Sequence, residues 1–386
     1  MYVMGKAEVE AVRKVIASGH LFRYRSGGVA ERTARFEKDF ARRIGTKYAL
    51  ATTSGTASLI CAMAGLGVGP GDEVIVPAYT YIATALAPLA VGAVPIIAEV
   101  DETLTLDPAD LERKITRYTK AVIPVHMLGL PCDLRAILRI ARRHKLLVIE
   151  DAAQACGGSY RGKPFGSLGH AGAFSFNHFK ILSCGEGGAV VTSDKAVYQR
   201  AMICHDGGCV FFDMQAAAAK PPFFAGTNFR VSEIQSAMLN AQLRRLDGIL
   251  QKLRARKAAM AGILARGESF RLSSCNDPAG DCGTHLPLLF ESERAACDFV
   301  ARYKRECYLF RPFDTGRHVY SNWEPILKQT MHHPKWNPWR MARRRIRQTS
   351  NSCPQTLDVL KRTVVIGVPF AKTIPQVRTL ARQMIA

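Results

Sequence analysis

Short apolar runs and helix-period segments alternate along the first two thirds of the chain. KYALATT, VIVP, VPIIAEV, KAVIPVH and LLVIE read as strands, because near-continuous apolar runs of that length suit strands buried on both faces of a parallel sheet. Between them, ASLICAMAGL, DPADLERKI and CDLRAILRIARRHK carry helical patterns. The alternation predicts a mainly parallel sheet with helices on both faces. Helices are also expected over Met4 to Ser18, Thr33 to Ile44 and Asp194 to Asp206, and after Ser232, which is placed as a cap with Glu233 in the first turn. From about Leu250 the composition shifts. QKLRARKAAMAGILARG, SERAACDFVARYKREC and PQVRTLARQMIA read as helices and THLPLLF and TVVIGVPF as strands, the content of a small α+β domain. The predicted fold is α/β, with a large domain over residues 1–248 and a small C-terminal domain over 249–386.

Parallel sheets bind ligands beyond the carboxyl ends of their strands, which draws the eye to Val148 to Gly188. LLVIE ends at Asp151, AGAFSF has Ser175 near its exit, and Lys180 follows in a loop before GGAVVTS begins another strand. A lysine amine can hold an aldehyde cofactor as a Schiff base, and a carboxylate can keep that cofactor's pyridine nitrogen protonated. The plainer reading makes Asp151 a turn cap and Lys180 a surface lysine. GEGG after the lysine tells against it, since a glycine cluster suits backbone that bends tightly or approaches a ligand. Ser54-Gly55-Thr56 opens a helix whose free N–H groups suit a phosphate, although Ser-Gly-Thr is also an ordinary cap. His126 closes its strand at the same edge, either lining a pocket or serving the fold.

Glu150-Asp151-Ala152-Ala153-Gln154, Phe174-Ser175-Phe176 with Lys180 five residues after the serine, and Gly185-Glu186-Gly187-Gly188 together resemble the DegT/StrS group of sugar aminotransferases. The resemblance runs from about Gly19 to the Gln242 region through SGTASL, GPGDEVIVPAYTYIATA, PVHMLG and GTNFRVSEIQSAMLNAQL. It implies fold type I and pyridoxal 5'-phosphate, with Lys180 as the Schiff-base lysine and Asp151 on the pyridine nitrogen. Gln154 would bond the phenolic oxygen, and Gly55, Thr56 and Ser175 the phosphate. Tyr81 would cover the ring, with Tyr79 two residues away as a competitor. Asn228 would reach the phosphate of a partner subunit, giving a homodimer with shared sites, and Arg230 would help set that loop. Phe22, Arg23 and Tyr24 fall at the expected pocket mouth, where Arg23 is an anion clamp or a surface arginine; His318 falls near substrate-facing positions. Related dehydratases carry histidine in place of the lysine, but with Ser175 in register Lys180 takes that position and His178 does not.

The implied activity is transfer of an amino group from L-glutamate or L-glutamine to a keto group of a nucleotide-activated sugar or related keto sugar or cyclitol. A pyridoxamine-dependent deoxysugar dehydratase and a non-catalytic basic protein are the alternatives.

Composition changes this picture little. A chain of 386 residues, 48% hydrophobic, can bury a large core. No apolar run approaches the ~18 residues of a membrane span, and the start lacks a signal-peptide core, so a cytoplasmic protein with no membrane partner is expected. Eleven scattered cysteines read as reduced thiols. Cys204 and Cys209 flank His205 without a second ligand pair, so no metal is expected. Net charge is +21, densest from Arg340 to Arg347 behind Trp336 and Trp339. That tract could bind backbone phosphates and stack bases, form a solvated face, or serve a nucleotide-sugar diphosphate; without a nucleic-acid-binding motif, nucleic acid is not the expected partner. GGCVFFDMQAAAAKPPFF reads as a long functional or mobile loop.

Overall fold

The computed structural model describes residues 4–24, 31–208 and 222–385. Strands β1 (Tyr48–Thr52), β2 (Glu73–Pro77), β3 (Val94–Ala98), β4 (Thr119–Val122) and β5 (Leu147–Asp151) are followed by a hairpin of β6 (Ser159–Tyr160) and β7 (Lys163–Pro164), then β8 (Ala171–Ser175) and β9 (Gly188–Thr192). Seven of them form one sheet in the order β1-β9-β8-β5-β4-β2-β3. Every pairing from β3 across to β8 is parallel, and β9 is antiparallel to both of its neighbours. All strands but β9 therefore end at the same edge. Strands β2, β3, β8 and β9 are buried at every position, which is why their sequences are apolar throughout instead of alternating.

Helices close both faces. Arg32–Ile44 lays Phe36 and Phe40 edge-on against Phe174 and Phe176 at centroid distances of 5.0–5.5 Å, a geometry that aromatic rings prefer. Gly55–Leu66 packs on Lys195–His205; a side chain at Gly65 would stand 2.7 Å from the Val197 carbonyl, so only glycine permits that approach. Ser232 caps Glu233–Leu243 with a reciprocal Gln235 bond, the arrangement that satisfies two orphan N–H groups at once.

A second, antiparallel sheet comprises β10 (Phe270–Leu272), β11 (His285–Phe290), β12 (Leu309–Phe310) and β13 (Thr363–Gly367), ordered β10-β11-β13-β12. Met260, Leu264, Leu288, Phe299, Ile366 and Leu380 form its core. The helix Leu246–Leu264 is continuous across residues 248 and 249. The C-terminal residues also do more than build a second body: Val319, Tyr320, Trp323, Trp339 and Ile346 pack into the core of the large sheet. Most of the predicted loop at 207–224 lies outside the described residues, Cys209 and Val210 included.

Candidate active site

The edge where β5 and β8 end brings an acid and a lysine together. Asp151 is only 4% exposed. Its Oδ2 accepts from Thr84 Oγ1 at 2.8 Å and its Oδ1 from the Ala153 N–H at 3.0 Å. Thr84 has one hydroxyl proton and gives it to Asp151, so the 2.8 Å contact between Thr80 and Thr84 must run with Thr80 donating. Burial pushes the Asp151 carboxyl above the usual range; the Ala153 and Thr84 bonds and the Lys180 charge pull it back. Burial likewise pushes the Lys180 amine below the usual lysine value, opposed by the carboxylates of Asp151 and Glu186. His178, two residues earlier, is exposed and meets the edge of Phe179 at 5.2 Å.

Two histidines from the C-terminal half adjoin Lys180. Burial and the Lys180 charge push His318 down to about 4, and burial does the same to His285, aided by Lys257 and Lys180. Both rings are neutral at neutral pH. His318 stands 5.4 Å from the Tyr81 ring, and its carbonyl accepts from the Thr80 N–H at 3.0 Å. The two tyrosines separate clearly, with Tyr79 1% exposed in the core and Tyr81 39% exposed beside His318.

The start of helix Gly55–Leu66 lies against the end of β8. Ser54 Oγ caps the Ala57 N–H at 3.1 Å, while Gly55 and Thr56, as the first two helical residues, have no acceptor within the helix for theirs. A Cβ on Gly55 would fall 2.8 Å from that of Ser175, so glycine is what lets the positive end of the helix dipole meet the serine. Gln154 accepts from the Leu128 N–H at 3.0 Å, which leaves its Nε2 donors for a phenolic oxygen. Asn228 is exposed and accepts from the Arg230 N–H at 3.1 Å; Arg230 itself pairs with Asp206 at 2.5 Å.

His126 serves the fold. Its Nδ1 accepts from the Cys132 N–H at 3.2 Å, so the ring proton sits on Nε2, which donates to Glu150 at 3.2 Å. Glu150 also accepts from the N–H groups of Gly166, Leu168 and Gly169 at 2.6–2.9 Å, stitching the turn before β8.

Arg23 departs from expectation in both of its forms. It is 4% exposed, neither on the surface nor held out as a clamp, and donates to Glu37 at 2.8 Å and to the Ala51 carbonyl at 3.4 Å. Glu37 also accepts from the Ala51 N–H at 2.6 Å. The guanidinium thus fastens helix Arg32–Ile44 to β1, a use that a buried cation requires if its desolvation is to be offset. The Arg340–Arg347 tract does not serve a diphosphate at this chain's own site: Arg344 pairs with Glu73, the first residue of β2, at the end of the strand remote from the catalytic edge. Sequence reading missed Thr80, Thr84, His285 and Glu186. The threonines sit inside a recognised motif, Thr80 in the bend after β2 and Thr84 in the first turn of the helix Ala83–Ala90, where nothing local marks them out, and nothing in the sequence links His285 to an edge more than a hundred residues upstream.

Among the described residues no group of three histidine, cysteine or carboxylate side chains could hold a metal, and the ten described cysteines are all free thiols. No described helix is long and apolar enough to cross a membrane.

A parallel-rich sheet flanked by helices, with a buried acid and a half-buried lysine at its carboxyl edge and a smaller sheet beyond, is the fold type I architecture. The chain belongs to the DegT/DnrJ/EryC1/StrS aminotransferase family, whose model matches residues 3–310. It is 46% identical over 213 residues to a GDP-perosamine synthase of Caulobacter vibrioides, covering 55% of this chain and 56% of that protein. It is 39% identical over 270 residues to an L-glutamine:2-deoxy-scyllo-inosose aminotransferase of Streptomyces lividus, covering 68% and 63%. The chain thus spans less than two thirds of the length of these curated relatives. Among solved structures, 3-amino-5-hydroxybenzoic acid synthase superposes with a TM-score of 0.83 at 26% identity over 100% of this chain and 97% of that one.

Proposed function

We propose that this protein is a pyridoxal phosphate-dependent aminotransferase that moves an amino group from L-glutamate or L-glutamine to a keto group of a nucleotide-activated sugar or a related keto sugar or cyclitol. The observation that carries the reading is the buried Asp151 carboxylate at the end of β5 and the half-buried Lys180 amine after β8, close enough for each to shift the other's titration, beside a helix N-terminus. The donor set fits the cofactor: an amine for its aldehyde, a carboxylate for its ring nitrogen, and two helix N–H groups with a serine for its phosphate. When bound, the cofactor supplies an electron sink for a carbanion.

The chain's own groups supply the rest. Burial makes the Lys180 amine easier to deprotonate than an ordinary lysine, which suits a group that acts as nucleophile and then moves a proton as base and acid. Thr84, itself bonded by Thr80, fixes Asp151 Oδ2 and the Ala153 N–H fixes Oδ1, so the carboxylate is already oriented where a ring N–H would need it. Tyr81 covers one face and excludes water, and Asn228 completes the phosphate site of a second copy in a homodimer working in the cytoplasm. The deciding experiment assays purified protein against a panel of keto sugars and cyclitol ketones with each donor, reading the 2-oxo acid released from it. Release that depends on acceptor, donor and Lys180 is the expected result; consumption of a deoxysugar substrate without donor turnover would replace transfer by dehydration.

A further inference from the structure

The segment from Gln329 to Ser352 lies outside the region that the family model matches and away from the catalytic edge, yet it is firmly held. The Gln348 amide copies a neighbouring strand, accepting from the Ile97 N–H at 2.6 Å and donating to the Pro95 carbonyl at 3.0 Å, and so closes the free edge of β3. Trp339 and Ile346 are buried in the large core. Gln329 donates to the Ile346 carbonyl at 2.8 Å, and Asn337 to the Gln329 carbonyl at 2.9 Å. Arg344 pairs with Glu73, and the Arg343 guanidinium passes 2.9 Å from where a Cβ on Gly71 would stand.

This frame presents Lys335, Arg340, Arg343, Arg345 and Arg347 to solvent, and among the described residues none has a carboxylate within 4.0 Å. Beside them Trp336 is 43% exposed and Met341 37%. We propose that this flank is a peripheral docking surface for an anionic lipid bilayer, the basic side chains meeting headgroups and Trp336 with Met341 entering the interface.

The exposed groups and their placement favour a bilayer over a nucleic acid. Clusters of four to eight basic residues are what anionic leaflets attract, and an exposed aromatic among them suits the headgroup region. Single-stranded nucleic acid instead needs successive aromatic platforms along a groove, and burial of Trp339 leaves one. Placement fits as well: contact through the N-terminal end of β2 keeps the bilayer away from the opposite edge, which carries Asp151 and Lys180.

Co-sedimentation of the full chain with phosphatidylcholine vesicles, with and without phosphatidylglycerol, tests the proposal. Each basic residue at an anionic surface contributes about fivefold in affinity. Arg340→Gln/Arg343→Gln/Arg345→Gln/Arg347→Gln should therefore weaken binding to the anionic vesicles by roughly 600-fold if the four contributions add, with transaminase turnover unchanged. A charge-matched control, Lys304→Gln/Arg305→Gln/Arg378→Gln/Arg382→Gln, neutralises four exposed cations of the small domain and should retain most of the binding. Wild-type binding should fall as salt rises and be absent on neutral vesicles, and Trp336→Ala should weaken it further at fixed charge. Equal loss in the control would overturn the proposal in favour of unspecific attraction by net charge. Failure to pelletize with anionic vesicles, or displacement from them by a single-stranded oligonucleotide at lower concentration than by free anionic lipid, would overturn it too.

Discussion

The two ends of the large sheet handle charge in opposite ways. At the carboxyl edge Asp151 and Glu150 are buried and Lys180 is half-buried, and each is set by named neighbours: Asp151 by Thr84 and Ala153, Lys180 by Asp151 and Glu186, Glu150 by three backbone N–H groups and His126. At the flank of β3 the cations are many, exposed and mostly without acidic partners. Low dielectric makes each buried contact strong and specific. Water and salt make each exposed charge individually weak, so only a cluster can act. Single substitutions should therefore be decisive at the edge and slight at the flank.

Lys180→Ala is the strongest test of that asymmetry. It should abolish covalent retention of the cofactor and lower turnover by about 10³-fold or more, while far-UV circular dichroism stays that of the wild type. Borohydride reduction and peptide mapping should place the pyridoxyl group of the wild-type enzyme on Lys180; its recovery on another lysine would remove the assignment. Asp151→Asn should come next, keeping bound cofactor but losing about 10²–10³ in kcat, the usual scale for one lost electrostatic contact to developing charge. Near-normal kcat in that variant would take Asp151 out of the mechanism.

These effects were legible in the sequence because each rests on a local pattern. Asp151 ends an apolar run, Lys180 follows Ser175 at a fixed spacing, and Gly55 opens a helix after a strand. What was not legible depends on contacts between distant segments. Arg23 gives no sign in sequence that Glu37 and Ala51 will surround it. Thr84 looks like any threonine in a helix until the chain brings Asp151 to it across 67 residues. Strands β6, β7 and β12 are two residues long and too short to carry a period. The basic tract showed its charge in sequence, but only the fold shows that Trp339 is buried and that the run sits at the start of β2.

Removing the support of a buried charge should cost less than removing the charge. Thr84→Val deletes the donor to Asp151 Oδ2 and leaves the carboxylate with its Ala153 bond. A hydrogen bond to a charged group contributes about 1.5–3 kcal/mol, so kcat should fall by roughly 10-fold to 100-fold. The acid limb of the pH–rate profile should also move upward, since Thr84 holds the Asp151 carboxyl down. Thr84→Ser, which restores the hydroxyl, should recover both. An unchanged acid limb in Thr84→Val would show that this bond orients nothing.

The smallest effect expected concerns the neutral histidines, and it separates the two regions by pH alone. His318 and His285 are pushed from the ordinary 6.5 to about 4, so the unfolded chain takes up protons on these rings before the folded one does. The stability this contributes is fully present above about pH 6.5 and is lost as pH falls through about 4. In cofactor-free protein, His318→Gln should therefore flatten the decline of Tm across that window by on the order of a degree or two. Arg345→Gln/Arg347→Gln should leave the slope unchanged, because arginine does not titrate there. Ring-proton chemical shifts of His318 should titrate near 4, and a midpoint near the ordinary value would mean that the ring is solvated and that the Lys180 charge does not reach it.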